Sequence, residues 1–166
     1  SVRALPLGLC QGGWLMLVQA TPADHDLIAR MWLAPSTANW IEPPDDGEIA
    51  SAIDAGFAFL WQKNGQAVGF AVLMTWVPRV MGLSAFVSDQ PGQGQPFLRA
   101  VLAHIFGPLN AHRVGLDCTT DNLRAIRLYE NIGFQNEGRV RECWQRPAGD
   151  WTDCELYGLL AREWRP

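Results

Sequence analysis

Hydrophobic residues along this chain fall into short runs separated by Gly- and Pro-bearing segments, and the spacing within each run predicts the elements. WLMLVQA (14–20) is a strand-length apolar run. Thr21-Pro22-Ala23-Asp24 is a helix start, with Thr as cap, Pro in the first turn and an acid at the third helical position. The helix it opens runs to about Leu33. Pro35, Pro43 and Pro44 break the next segment into a loop carrying Trp40, and a short helix fits 48–55 before Gly56. FAFLWQ (57–62) and AVGFAVLMTW (67–76) flank Asn64-Gly65, the pattern of a hairpin. VMGLSAFV (80–87) is apolar on both faces and so predicts a central strand.

SDQPGQGQP (88–96) is a loop leading into an amphipathic helix, FLRAVLAHIF (97–106), with Pro96 suited to its first turn. HRVGLDC (112–118) is a strand, and DNLRAIRLYENIG (121–133) is a helix closed by Gly133. FQNEGRVRECW (134–144) and WTDCELYGLL (151–160) are strands around an RPAG turn. Residues 1–12, which contain Pro and Gly, read as a loosely held leader. The order β-α-α-β-β-β-α-β-α-β-β predicts an α/β chain of the α+β mixed-sheet kind, with helices on both faces. Residues 1–166 read as a single domain without repeat or linker.

Composition narrows the function classes. A chain of 166 residues, 48% hydrophobic and 18% charged, can bury one core. Its longest apolar run, 67–77, falls well short of the ~20 residues of a membrane span, and GWLMLVQA (13–20) reads as a strand rather than the end of a signal peptide. Cys10, Cys118, Cys143 and Cys154 show no C-x-x-C and no His at metal spacing, so no metal is expected. They read as reduced, buried thiols of a cytoplasmic protein, although Cys143 and Cys154 can face each other across the turn near Pro147–Gly149. A net charge of −4 argues against a nucleic-acid partner. The charge is uneven. Met31 to Gln62 holds no Lys or Arg but contains Glu42, Asp45, Asp46, Glu48 and Asp54, whereas Arg99 to Arg146 is mildly basic. Either this is ordinary solvated surface or the two halves handle ligands of opposite charge.

The candidate chemistry begins at Asp89-Gln90-Pro91-Gly92-Gln93-Gly94, where a glycine loop opens a helix. Glycines admit close approach of a ligand, and the first N–H groups of the helix point outward with the positive end of its dipole, a site for phosphate or pyrophosphate. It is not a dinucleotide fingerprint, because the third Gly is missing. On the next helix Asn122, Ala125 and Tyr129 share a face. If strands 80–87 and 112–118 are neighbours, both helices start at one end of the sheet and a ligand on the loop passes that face. Asn then offers hydrogen bonds, Ala clearance and Tyr an acidic O–H. Taken without the neighbouring motif, Tyr129 reads as a buried phenol tied to a backbone carbonyl.

With these motifs, 80–163 resembles the GCN5-related N-acetyltransferase (GNAT) superfamily. That family has Q/R-x-x-G-x-G/A at its pyrophosphate loop, aligned here with Asp89 to Gly94, and an N-x-x-A-x-x-x-Y helix followed by G-F, here Asn122, Ala125, Tyr129, Gly133 and Phe134. The tail Glu137–Glu142, Gly149–Asp153 and Leu159-Leu160 resembles the branch containing ribosomal-protein N-terminal acetyltransferases. The likeness covers about half the chain; the N-terminal half agrees only in element order.

The resemblance implies a GNAT-like fold, acetyl-CoA (coenzyme A) as cofactor and direct attack on the thioester by an acceptor amine. It implies that CoA lies on Phe86, Val87, Asp89, Gln90, Gly92, Gln93, Gly94, Gln95, Pro96, Asn122, Ala125 and Tyr129, with Tyr129 as general acid. It also implies two strands splaying near Ser84–Val87, where a freed N–H faces the thioester oxygen. Asp89 departs from the family's Gln or Arg and repels pyrophosphate unless it turns outward. The acidic 42–48 loop sits where acceptors bind in this superfamily, which implies a cationic small molecule or peptide N-terminus in a pocket containing Trp40, Glu42, Trp76 and Ser84. The proton acceptor is left open among Glu42, Asp45, Asp46, Asp117, Glu142 and a water chain. His25, His104 and His112 are also present, the last two reading as structural. Strand-mediated homodimers are common in the superfamily, so a homodimer stays open. A competing reading, supported by Asp89, is an acyl-CoA-binding sensor or interaction module without turnover. A nucleotide-binding domain rests only on the lone glycines.

Overall fold

A computed structural model describes residues 5–10 and 13–166, with side chains from Trp14 onward. The alternating apolar runs form one eight-stranded sheet: β1 (Leu5–Cys10), β2 (Gly13–Gln19), β3 (Ala58–Lys63), β4 (Gln66–Val77), β5 (Val80–Ser88), β6 (Arg113–Thr119), β7 (Gln135–Gln145) and β8 (Trp151–Leu160). The helices are α1 (His25–Trp32), α2 (Glu48–Asp54), α3 (Gly94–Phe106) and α4 (Leu123–Ile132). Across the sheet the strands run β1-β2-β3-β4-β5-β6-β8-β7, and among the described residues only β5 and β6 are parallel neighbours.

The expected order holds with one addition. Leu5–Cys10, read as part of a loose leader, is a strand paired antiparallel to β2 at the sheet edge. Pro6 and Gly8 disguise it in the sequence. An edge strand tolerates both, because Pro has no N–H to leave unpaired and the register shifts between Leu7 and Leu9. Residues 1–4 and 11–12 of that segment lie outside the described residues.

Local chemistry explains the element boundaries. The Asp24 carboxylate accepts from the Thr21 N–H and hydroxyl, both at 2.8 Å, fixing the turn that enters α1. Asn64 (φ 53°) and Gly65 (φ 79°) supply the two left-handed residues of a tight hairpin between β3 and β4. One core lies under α3 and α4, where Phe97, Leu98, Leu102, Tyr129 and Ile132 meet Leu73, Leu83, Val114, Leu116 and Leu159. The other lies under α1 and α2, where Ile28, Trp32, Ile49 and Ile53 meet Leu60, Phe70, Val72, Ala85 and Val87. Each such fully buried large side chain contributes about 1.5–3 kcal/mol.

Cys143 and Cys154 are joined by a disulfide, not held as free thiols as the first reading had it. The register of β7 shifts between Val140 and Trp144, and the extra residues bring Cys143 to Cys154 with their Cα atoms 6.1 Å apart. Cys118 is free and buried, and burial pushes its thiol up to about 12, in keeping with an inert thiol. The side chain of Cys10 lies outside the described residues.

Candidate functional site

The parallel pairing of β5 and β6 lasts only three rungs: Val80 with Arg113, Met81 with Val114 and Gly82 with Gly115. Past Gly82 and Gly115 the strands part, while β5 stays paired to β4 as far as Ser88. The edge of β5 that faces β6 therefore carries backbone groups without a ladder partner, in the region of Ser84–Val87 where a splay was expected. The register shift between Val72 and Leu73 makes Ser84 the extra residue of a bulge. Bulges re-aim backbone and side chain together.

On the α3–α4 side the gap leads to the glycine loop. Gly92 has φ +77°, and a Cβ there would meet nothing within 4 Å. Gln93 stands at the start of α3. Its side-chain oxygen accepts from the Trp61 indole N–H at 3.2 Å, which ties the loop to β3. Trp61 in turn stacks on Phe97, centroids 5.3 Å apart. Gly94 and Gln95 present the first N–H groups of a 13-residue helix, and Pro96 has none to present. Such amides, at the positive end of the dipole, suit an anion. Asp89 is exposed beside them, and partial desolvation raises its carboxyl pKa.

The face of α4 departs from expectation at its first member. The Asn122 side-chain oxygen accepts from the Ala125 N–H at 3.1 Å, so it caps the helix and only its NH2 is left for another partner. Tyr129 is buried, edge-on to Phe134 (5.8 Å) and tilted against Tyr157 (6.0 Å). Burial pushes its pKa above the ordinary phenol value, and the nearby Cys118 and Asp117 add to the rise. Among the described residues its hydroxyl has no hydrogen-bond partner, unlike the carbonyl-tied phenol considered above; the Tyr157 hydroxyl, by contrast, donates to Glu130.

On the α1–α2 side lies a cavity of about 520 Å³ whose lining includes Glu42, Asp45, Glu48, Phe57, Met74 and Ser84 and, among the described residues, no basic one. The Trp32 indole donates to the Glu42 carbonyl at 2.8 Å and anchors the loop. Glu48 has two partners: Oε2 accepts from the Asp45 N–H at 3.0 Å and Oε1 accepts from the Ser84 hydroxyl at 2.6 Å. Burial raises the Glu42 pKa, and repulsion from Asp117, Asp45 and Glu48 raises it further. Asp117 faces the cleft from β6, and desolvation raises its pKa as well. Three carboxylates thus line the cavity, and Asp117 lies near enough to Glu42 to raise its pKa.

The sequence reading placed some of these residues and missed others. Glu42 and Ser84 line the cavity; Asp46 does not, and Glu48 takes its place. The spacing Asp45-x-x-Glu48, that of a capping box, was the available signal. Trp40 is not in the lining. It lies half exposed beneath the Arg146 guanidinium, 6.0 Å away, and Arg146 also pairs with Asp121 before α4. Trp76 is not in the lining either; its ring covers Gly82 and Gly115 beside Met74. Glu142 (φ 49°) is exposed on the β7 bulge. His104 packs against Phe59 at 4.9 Å with its pKa lowered by burial, and His25 pairs with Asp26, so neither reaches the cavity.

The arrangement joins an anion cradle on one face of the sheet to an acid-lined cavity on the other through a gap with unpaired backbone. Residues 15–135 match the family described as Acetyltransferase (GNAT) domain. An uncharacterized N-acetyltransferase, YnaD of Bacillus subtilis, is 29% identical over 73 residues, 44% of this chain and 42% of that protein. The chain therefore aligns with less than half the length of that relative. Among solved structures, spermidine N-acetyltransferase from Vibrio cholerae, in complex with CoA and spermine, superposes with a TM-score of 0.78 at 19% identity, covering 90% of this chain and 96% of that one. The ribosomal-protein-S5-alanine acetyltransferase from Vibrio fischeri gives 0.73 at 15% identity over 98% and 100% of the two chains. At these identities the two structures speak for the fold.

Proposed function

Because the chain belongs to the GNAT acetyltransferase family, we propose that it transfers an acetyl group from acetyl-CoA to a primary amine that carries positive charge and enters through the acid-lined cavity. The observation that carries this reading is the parting of β5 and β6 after Gly82 and Gly115, which opens the sheet between cradle and cavity. The glycine loop fits the group, since its backbone is clear at Gly92 and its leading amides are free of helical partners. Bound acetyl-CoA supplies the thioester at which the amine reacts.

The residues then divide the work. Amides of Gly92, Gly94 and Gln95 hold the pyrophosphate. The NH2 of Asn122, the clearance at Ala125 and the unpaired edge of Phe86 and Val87 hold the pantetheine arm. An N–H at the Ser84 bulge bonds the acyl oxygen as it gains charge. As the C–N bond forms and the C–S bond breaks, Tyr129 would give its proton to the departing sulfur and be restored by the second proton that the nitrogen sheds on becoming an amide. Glu42 and Asp117, whose raised pKa values make them stronger bases than ordinary carboxylates, take the proton of the incoming ammonium. The nearby carboxylates attract that cation and orient it.

A screen of amines for thiol released from acetyl-CoA tests the proposal. Release with cationic primary amines is expected, and none with any amine overturns it. Asp89 favours one second reading, a module that binds acyl-CoA without turnover, because it takes the place of the family's Gln or Arg beside the loop and a carboxylate there repels pyrophosphate. CoA binding without transfer to any amine selects that reading.

A further inference from the structure

Trp76 is half exposed, yet it is held more tightly than a surface indole needs to be. It is the extra residue of a second bulge, where β4 shifts register against β5 between Thr75 and Val77. The bulge turns the ring inward over the sheet. A Cβ on Gly82 would lie 2.7 Å from its Cε2 and Nε1, and a Cβ on Gly115 would lie 2.6 Å from its Cζ3 and Cη2. The indole therefore reaches from β4 across β5 to β6 and covers the last rung before the strands part. Any side chain at either glycine would lift it.

The surroundings of the ring have one character. Met74, a wall of the acid-lined cavity, lies beside its pyrrole edge over Gly82. Asp117 follows Gly115 by two residues and so projects from the same face of β6, close enough to Glu42 to raise its pKa. An electron-rich aromatic plane thus sits at the edge of a carboxylate cluster. Trp is the strongest aromatic partner for a cation, and flanking carboxylates favour the same ligand.

We infer that the outward surface of the Trp76 indole is a stacking floor for a second cationic centre of the acceptor. The preferred substrate is then a di- or polyamine: one nitrogen stands at the Ser84 gap while another rests on Trp76. This rests on the reading of the cavity as an amine site and goes beyond it by naming the class of amine.

The test is equilibrium binding to the CoA-saturated protein. Spermidine is titrated calorimetrically, and n-butylamine, with one charge, is measured by competition. Trp76→Leu is expected to weaken spermidine about tenfold and n-butylamine less than twofold, with Trp76→Phe intermediate for spermidine. Should Trp76→Leu fail to fold, the Trp76→Phe comparison carries the test, with a loss of about threefold for spermidine alone. Equal losses for both amines, no loss for spermidine, or no spermidine binding to the wild type at millimolar concentration would overturn the inference. Thiol release separates the two proposals. Trp76-dependent binding of spermidine without any release refutes the transferase and leaves the floor standing, whereas release with Trp76-independent binding does the reverse.

Discussion

Replacing Tyr129 by Phe removes one oxygen and is predicted to lower activity while leaving stability nearly unchanged. The ring stays between Phe134 and Tyr157, so packing is kept. The lost hydroxyl has no hydrogen-bond partner among the described residues, yet it is not one of the sealed, unpartnered polar atoms there (Ser88 Oγ, Thr119 Oγ1 and Arg146 Nε), so water can satisfy it and it carries no large desolvation penalty. Phe is therefore expected to leave the stability of the ligand-free protein within about 0.5 kcal/mol, or about 1–2 °C in Tm for a chain of this size. Catalysis loses its proton donor. General acids contribute about 10²–10⁴-fold, and the raised pKa of Tyr129 puts it at the weak end, because the thiolate it serves has a pKa of only about 8.5. A fall in kcat of about a hundredfold, ~2.7 kcal/mol of barrier, is expected with CoA affinity unchanged. The raised pKa also means that stability contributed by the neutral phenol is present below the unfolded value of about 10 and is lost as pH rises through the folded value. The Phe variant lacks that alkaline loss. Thiol-release kinetics, CoA calorimetry and thermal melts read all three. A kcat within threefold of the wild type would refute the acid role, and a variant destabilised by more than about 1 kcal/mol would refute the unpartnered hydroxyl.

Glu48→Ala removes the acceptor of both the Ser84 hydroxyl and the Asp45 N–H, so urea unfolding should show a loss of about 2 kcal/mol; an unchanged midpoint would mean the loop is held otherwise. Reduction of Cys143–Cys154, which closes a loop with a sequence separation of 11, should lower stability by about 2–3 kcal/mol, with no change expected only if the bridge does not form in solution. Glu42 has a raised pKa, so it neutralises earlier than an ordinary carboxyl as pH falls, and KM for a cationic amine should climb over that approach. Glu42→Gln should flatten the climb, and an identical pH profile in both proteins would count against Glu42 as a cation partner. Gly133→Ala forces a side chain into φ +113° at the end of α4 and should cost about 1 kcal/mol by chemical denaturation, a neutral outcome indicating that the cap relaxes.

Most of the fold was legible because most of its signals are local. Asn64-Gly65 dictates a hairpin through two positive φ values, Gly133 ends a helix through one, and Thr21 with Asp24 starts another by hydrogen bonds three residues apart. The strand at Leu5–Cys10 was not legible, since Pro and Gly argue against a strand everywhere except at an edge, and nothing local says where the edge is. The bridge from Cys143 to Cys154 was left open for a related reason. Val140, not Cys143, is the ladder partner of Cys154, so pairing depends on a register shift that spacing alone does not announce.

The same distinction divides the candidate site. The proposed cradle is built from consecutive residues, 89–96, and from the start of a helix, so composition and order suffice to propose it. The cavity is assembled from Glu42, Glu48, Met74 and Ser84, with Trp76 and Asp117 beside it, and two of these owe their direction to bulges. A slip of one residue in a strand exchanges its faces, so a bulge before Ser84 or at Trp76 decides whether the side chain meets the cavity or the opposite core. Gly82 and Gly115 looked unremarkable in the sequence because a glycine in a strand carries no sign of what lies over it. Only the parallel register that pairs them makes a single bed for one indole. If the loop amides hold the cofactor as proposed, that recognition can survive wide sequence change, while in the proposed acceptor cavity the choice of amine turns on a few side chains whose aim is set by register. Substitutions that alter which amine is taken should concentrate at residues 42, 48, 76, 84 and 117, and at the glycines beneath Trp76, leaving the loop at 89–96 unaltered.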